Sequence, residues 1–450
     1  MKNFNPDDTI CALATGGNVS AIAIIRITGK DSVKIVNNIF SKNIIKANSH
    51  TIHYGRITNN NKIIDEVLVS IFKGNKTYTG ETTVEISCHG SIYIQDQLLQ
   101  ILIKNGCRMA NPGEFTMRAF KNGKIDLTQA EAVADLIASE SEAEQQTAMR
   151  DLRGGFSSKL QKLRTKLIDF ASLIELELDF SEEDVEFADR KQFQKLLSQI
   201  KDELQILINS FSEGNVMKNG IPVSIIGAPN VGKSTLLNTL LNEEKAIVSE
   251  IEGTTRDSIE DKLIINGISF RFIDTAGIRK TKDKIEKIGI KKTLEKAKES
   301  EIVLLILDAI KKINKEELLK QKKKYANKLI IVINKIDIKE MQSIQLKDSI
   351  LISAKEKTGI EDLKSKIVAL IKNKKKSNSD TIVTNIRHYE ELKLALNEVN
   401  SIFDALNNNI SSEFLSIHIR QALSHIGIIT GEVTTDTLLA NIFQKFCIGK

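Results

Sequence analysis

Between residues 216 and 375, short apolar runs alternate with stretches of helical spacing. Val223–Gly227, Ile268–Asp274, Ile302–Asp308, Leu329–Asn334 and Ile350–Ser353 are the apolar runs, rich in β-branched residues. Strands separated by helical pattern predict a parallel sheet wrapped by helices. Upstream, Phe156, Leu160, Leu163, Leu167, Phe170 and Ile174 step by four and three, which places them on one helix face. Phe193, Leu197, Ile200, Leu204, Leu207 and Phe211 repeat the pattern, and Leu392, Leu396, Val399, Phe403 and Leu406 resume it. Three apolar helical stripes need partners, so a helical bundle core is expected. Before residue 118 the texture is different. Ser20–Ile27, Ile63–Phe72 and Val84–Ser87 read as strands, broken at Gly16-Gly17, Gly29 and Gly74-Asn75. The pattern thus divides into an α+β domain over 1–118, a helical segment over 119–215, an α/β domain over 216–375 and a second helical segment over 376–450. Lys374-Lys375-Lys376 opens a solvated linker at the last boundary. The simplest topology inserts the α/β domain into a discontinuous helical domain.

Composition narrows the picture without directing it. A chain of 450 residues is too long for one core. With 41% hydrophobic and 27% charged residues it has the make-up of an ordinary soluble protein. The longest aliphatic run, Ile302 to Leu307, is far short of the ~20 residues that span a bilayer, so no membrane association is expected. The first fifteen residues include Asp7 and Asp8 and no apolar core of a secretory signal. Cys11, Cys88, Cys107 and Cys447 are scattered and form no CxxC pair, which fits a reducing cytoplasm. A net charge of +6 permits nucleic-acid binding without demanding it.

The chemistry sits in the α/β domain. Gly227-Ala-Pro-Asn-Val-Gly-Lys-Ser234 follows a strand and precedes a helix, the context a P-loop requires. Backbone N–H groups of Asn230, Val231, Gly232 and Thr235 can face phosphates, Lys233 supplies a point charge, and Ser234 a hydroxyl for Mg²⁺. Asp274-Thr275-Ala276-Gly277 ends a second strand, where the carboxylate can hold a Mg²⁺-bound water and the Gly277 amide can sense a γ-phosphate. Asn334-Lys335-Ile336-Asp337 ends a third. The Asp337 carboxylate can accept from guanine N1–H and its 2-amino group, a donor pair adenine lacks. Ser353-Ala354-Lys355 completes a base pocket. One such motif is weak, whereas four in order at strand ends point to a GTP-hydrolysing domain of Ras-like, P-loop type with a mainly parallel sheet.

Ile278 stands where small signalling GTPases carry a water-orienting glutamine, so another group must act there. In Gly253-Thr254-Thr255-Arg256-Asp257, Thr255 can ligate Mg²⁺. Here the chain resembles the potassium-activated branch of P-loop GTPases. That resemblance implies a K⁺ ion held by Asn230, the carbonyls of Ser249 and Ile251, and Thr254.

The flanks carry a second resemblance. Pro112-Gly113-Glu114-Phe115-Thr116-Met117-Arg118-Ala119-Phe120, then Asn122-Gly-Lys-Ile-Asp-Leu127 and Gln129-Ala-Glu-Ala132, together with the ending Cys447-Ile-Gly-Lys450, are similar to the MnmE (TrmE) family of tRNA-modification GTPases. The resemblance covers essentially the whole chain. It implies a homodimer formed through the N-terminal domain, which binds a tetrahydrofolate derivative (5-formyl- or methylene-). It also implies an FAD-dependent MnmG-like partner, in a heterotetramer, that helps install aminomethyl-type groups on the tRNA wobble uridine. By motif it assigns Arg26, Glu85, Lys124 and Lys450 to the folate, Glu286 to orienting the hydrolytic water, and functional importance to Cys447. Ser87-Cys88-His89-Gly90-Ser91 departs from the glycine-rich segment of many relatives. The adjacent Cys88 and His89 fall short of a metal site without two further ligands. The rival reading is a ribosome-assembly GTPase that docks on rRNA. It would carry an RNA-binding module with a GxxG loop, and none follows the α/β domain.

Overall fold

A computed structural model describes residues 5, 7–60, 62–179, 190–244, 261–273, 300–311, 313–338, 346, 348–372, 382–408 and 412–450. The chain divides into two units, one of Met1–Ile137, Arg150–Ile200 and Leu394–Lys450, the other of Ala138–Met149 and Lys201–Lys393.

In the first unit, alternation builds a sheet whose two faces carry different sets of side chains. Strands β1 (Ile10–Leu13), β2 (Ser20–Thr28), β3 (Thr51–Asn59), β4 (Lys62–Phe72), β5 (Thr83–Gly90) and β6 (Arg108–Met109) lie in the order β3-β4-β5-β2-β1-β6. All neighbours are antiparallel except β1 and β6. Ala23, Ile25, Ile27, Val67, Val69, Val84, Ile86 and Cys88 point into a core closed by α1 (Ser32–Ile39) and α2 (Ile92–Lys104). The period of two then sends Arg26 and Glu85, which pair across β2 and β5, to the other face. The sequence pattern placed β2, β4 and β5 to within a residue or so at most ends, although β5 runs on to Gly90. It did not show β1, β3 or β6.

Next comes α3 (Glu114–Lys121), followed by α4 (Leu127–Ala138), α5 (Glu142–Leu152) and α6 (Gly155–Asp179). Helix α3 carries the Pro-Gly-Glu-Phe-Thr segment. Glu114 is fully buried and accepts from Arg108 at 2.7 and 3.0 Å, from Arg118 at 3.2 Å and from the Asn111 amide at 2.8 Å. Arg118, also buried, donates to Glu81 and to the Asp8 carbonyl. The signature therefore holds an ion network that ties β6, α3 and the segment before β5 together. On α6 the predicted stripe Phe156, Leu160, Leu163, Leu167, Phe170 and Ile174 is buried, and the helix packs along α12 (Ser412–Thr430). Helix α13 (Asp436–Phe443) closes a small core with α3 and α4 through Met117, Leu127, Leu439 and Phe443.

The second unit holds the other sheet. Its strands are β7 (Ile221–Ile226), β8 (Asp261–Ile265), β9 (Ile268–Ile273), β10 (Ile302–Asp308), β11 (Leu329–Asn334) and β12 (Ser349–Ile352). They lie in the order β12-β11-β10-β7-β9-β8, parallel except for the β8–β9 pair. Both faces are covered, which is why these strands read as continuous apolar runs. Ile302, Leu304 and Ile306 of β10 face α8 (Lys233–Glu244) and α10 (Ile360–Lys372), while Val303 and Leu305 face α9 (Lys315–Tyr325). Strands β10 and β11 have the bounds their apolar runs predict, and β7 and β12 are displaced by one or two residues. The two remaining helices, α7 (Arg190–Asn219) and α11 (Ile386–Asn407), carry the other predicted stripes.

Candidate functional sites

Parallel strands end on one edge of the second sheet, and the predicted nucleotide motifs follow those ends. The P-loop connects β7 to α8, with Lys233 the first residue of the helix. Its bend uses Asn230 at φ +63° and Gly232 at φ +97°. A side chain at Gly232 would also place its Cβ 2.2 Å from Asn334 Nδ2, so both backbone and space demand glycine there. Lys233 Nζ donates to the carbonyls of Gly227 and Ala228, each at 2.8 Å, which holds the ammonium at the mouth of the loop.

The base motifs are tied to that loop by one amide. Asn334 Nδ2 donates to the Val231 carbonyl at 2.9 Å, and its Oδ1 accepts from the Ala354 N–H at 3.0 Å. Thr239 of α8 donates to the Ala354 carbonyl at 2.7 Å. Ser353 Oγ donates to Asp337 Oδ1 at 2.6 Å and accepts from the Glu356 N–H. The hydrogen bond from Ser353 holds the Asp337 carboxyl below its usual range, so it stays ionised and acceptor-only at neutral pH. Lys355 is exposed beside Glu356, at 3.6 Å. The structure thus brings Asn230, Val231, Gly232, Lys233, Asn334, Lys335, Asp337, Ser353 and Ala354 to one edge. Ser249, Ile251, Thr254, Thr255, Asp274, Thr275, Ala276, Gly277, Ile278 and Glu286 lie outside the described residues.

The first unit gathers the other predicted residues around its C-terminal tail. Arg26 Nε donates to Glu85 Oε1 at 2.8 Å, and Nη1 donates to the Gly449 carbonyl at 3.3 Å. Its guanidinium lies 5.9 Å from the Tyr78 ring and 5.8 Å from the Phe115 ring. Tyr78 is joined to Thr116 of α3 by a 2.8 Å hydroxyl pair. Lys124 Nζ donates to the Asn75 carbonyl at 2.7 Å, on the same loop that carries Tyr78. The Gly113 N–H points to the Cys447 carbonyl at 3.4 Å, so the Pro-Gly-Glu-Phe-Thr segment receives the tail. Cys447 is the exposed cysteine, whereas Cys11, Cys88 and Cys107 are buried.

Gly449 holds φ +95°, and a Cβ there would lie 2.2 Å from the Leu13 carbonyl. Gly449→Ala is therefore expected to lift the tail. The readout is hydrogen exchange at the Gly113 amide, faster by about tenfold or more for a loss of about 1.4 kcal/mol. GTP hydrolysis in the other unit should be unchanged. Unaltered Gly113 protection would show that the tail is not held there.

Cys88 and His89 are adjacent on β5 and have different surroundings. His89 Nδ1 is held at 2.7 Å by the buried Asp65, and burial pushes the Cys88 thiol up to about 11. Among the described residues no group of three or more metal-ligating side chains occurs. No helix there is long and apolar enough to cross a membrane.

Residues 9–124 match the family model for the GTP-binding protein TrmE N-terminus, and residues 127–447 match that for the MnmE helical domain. A tRNA modification GTPase MnmE from Flavobacterium psychrophilum is 56% identical over 98% of this chain and 99% of its own length. The chain belongs to the MnmE family. A second MnmE relative, from Bacteroides fragilis, is 51% identical over 98% of this chain and 99% of its own length. The chain is accordingly a GTPase of tRNA modification, built from a TrmE-type N-terminal domain, a helical domain and a G domain.

Sequence reasoning gave no site role to Tyr78, Phe115 and Gly449 around Arg26, or to Asp308 beside the base motif. Phe115 and Gly449 were visible only as members of the Pro-Gly-Glu-Phe-Thr and terminal motifs. Tyr78 carries no signal of its own.

Proposed function

We propose that this member of the MnmE family is a K⁺-activated GTPase. With an FAD-dependent MnmG-like partner, it installs aminomethyl or carboxymethylaminomethyl groups at C5 of the tRNA wobble uridine. The observation that carries the reading is the tail site. Arg26 joins Glu85, two aromatic rings and the Gly449 carbonyl at one point, with an exposed thiol two residues before that carbonyl. A carboxylate and a cation held together match a pterin edge and its glutamyl tail. A tetrahydrofolate derivative bound there would supply the one-carbon unit. Glu85, Arg26, Lys124 and Lys450 would hold it, and Cys447 stands at the same tail. The dimer through the N-terminal domain and the cytoplasmic location belong to the same reading.

At the nucleotide site, Lys233 and the P-loop amides would bind the phosphates, and Ser234, Thr255 and Asp274 would hold Mg²⁺ directly or through water. Asn230 already has the left-handed backbone that turns the loop, and its side-chain oxygen is the donor type that suits K⁺. Ser249, Ile251 and Thr254 would complete the shell, with Glu286 orienting water. Replacing K⁺ by Na⁺ is expected to slow GTP turnover by roughly 10–10³-fold, part of what a supplied cation is worth at this transition state. Asn230→Ala should remove that difference. Equal rates in the two salts would end the cation-site reading while leaving tRNA modification standing.

A further inference from the structure

Asp308 ends β10 and has no place in the nucleotide motifs, yet its carboxylate is almost wholly buried, at 3% side-chain exposure. A carboxylate withdrawn from water at a strand end demands partners. It has two. Oδ2 accepts from Lys335 Nζ at 2.7 Å, and Oδ1 accepts from the Ile310 N–H at 3.0 Å. Backbone contacts reinforce the pairing, because Asp308 lies opposite Asn334 in the β10–β11 register and the Ala309 N–H donates to the Asn334 carbonyl at 2.9 Å. Lys335 itself sits at φ +72°, a backbone state that a non-glycine residue adopts only when its surroundings hold it.

We infer that Asp308 is a positioning residue for guanine-nucleotide binding, acting through Lys335. The inference rests on the nucleotide reading of the Asn334-Lys335-Ile336-Asp337 loop and goes beyond it, because the residue that sets that loop comes from a different strand. The chemistry is directional. Lys335 leaves the strand in an inverted backbone state between Asn334, which holds the P-loop, and Asp337, which faces the base. Its ammonium could point to solvent in many rotamers, and the Asp308 carboxylate selects one of them. The lysine stem is thereby laid along the β10 side of the loop, and the loop is fixed at both ends before nucleotide arrives. Binding then requires less ordering of Lys335 and its neighbours, and pre-organisation of this kind appears as affinity. Burial alone would raise the Asp308 carboxyl. The hydrogen bonds from Lys335 and the Ile310 amide outweigh it and keep the carboxyl below its ordinary value, so Asp308 stays a carboxylate throughout the neutral range.

A double-mutant cycle on the full-length chain tests this, reading the Kd of GDP by calorimetry. Asp308→Asn keeps the shape and the acceptor for Ile310 but removes the charge that holds Lys335. It should weaken GDP about tenfold, equivalent to about 1.4 kcal/mol, while kcat at saturating GTP stays within twofold. Lys335→Ala should weaken GDP at least as much. In the Lys335→Ala background, Asp308→Asn should then change Kd by less than about twofold, because the two side chains act as one unit. An undiminished tenfold loss in that background would show that Asp308 acts without Lys335 and would overturn the inference. So would an unchanged Kd for Asp308→Asn alone. If Asp308→Asn is insoluble, Asp308→Glu carries the test: one extra methylene displaces the ammonium and should raise the GDP Kd severalfold, and an unchanged value contradicts the proposal. None of these readouts depends on tRNA or folate, so their failure is distinguishable from failure of the modification reading.

Discussion

Glu114→Ala is expected to cost about 3–5 kcal/mol of stability, the range for breaking a buried ion pair by removing one partner. The size follows from what the carboxylate leaves behind. Arg118 is 2% exposed, and its Nη2 would lose the Glu114 oxygen at 3.2 Å. Arg108 would lose both of its oxygens on Glu114, keeping Asp8 at 2.9 Å and the Met109 carbonyl at 3.0 Å. The Asn111 amide would lose its acceptor as well. Calorimetric unfolding should show the transition of the first unit lowered, with that of the GTP-binding unit unmoved. A loss below about 1 kcal/mol would mean that the network relaxes at little cost.

The same carboxylate sets a pH dependence. Burial would raise the Glu114 carboxyl, but hydrogen bonds from Arg108 and Asn111 and the nearby Arg118 charge bring it below its ordinary value. A depressed folded pKa means the contribution is fully present above the ordinary glutamate range and is lost as pH falls through the folded value. Acid should therefore destabilise the first unit of the wild-type chain more than that of Glu114→Gln.

Asp337→Asn is expected to weaken guanine nucleotides by about 10²–10⁴-fold. On the proposed geometry the carboxylate accepts two N–H donors from the base. Each hydrogen bond to a charged group is worth roughly tenfold to a hundredfold in an equilibrium constant. The substituted amide would present an N–H₂ toward the 2-amino group and leave it unpaired. The 2-oxygen of xanthine would suit that N–H₂ instead, so xanthosine diphosphate should gain affinity for the variant where GDP loses it. Parallel losses for both nucleotides would indicate a collapsed loop and not a changed base preference. The Ser353 hydroxyl, 2.6 Å from Asp337, makes the position sensitive to the charge it now bonds.

How much of this was legible in the sequence depended on how local the signal was. Strands β10 and β11 announced themselves because both faces are covered, leaving six or so apolar residues nearly in a row. Strand β3 did not, because it lies at the sheet edge and interleaves Ile52, Tyr54 and Ile57 with His53 and Arg56. Strands β1 and β6, of four and two residues, are too short for a period to show. The nucleotide residues were readable because each motif encodes its own turn, as Gly232 does. Arg26 and Glu85 were named only through resemblance, and their pairing needed the β2–β5 register, 59 positions apart in the chain. Glu114 and Arg118 are one helical turn apart and were visible as a motif, but the sequence did not distinguish a structural network from a binding surface. Asp308 was the least visible. Its partner lies 27 residues away, and an aspartate at a strand end has many ordinary roles.

The central claim is that this chain takes part in modifying the tRNA wobble uridine. Mass spectrometry of tRNA nucleosides tests it most directly, in a bacterial strain lacking its own MnmE-family gene, with and without this one and with a compatible MnmG-like protein present. The account predicts that C5-aminomethyl-type uridines return with the intact gene and not with Arg26→Gln or Asp337→Asn. Soluble, GTP-hydrolysing protein that leaves the nucleoside profile unchanged would contradict it.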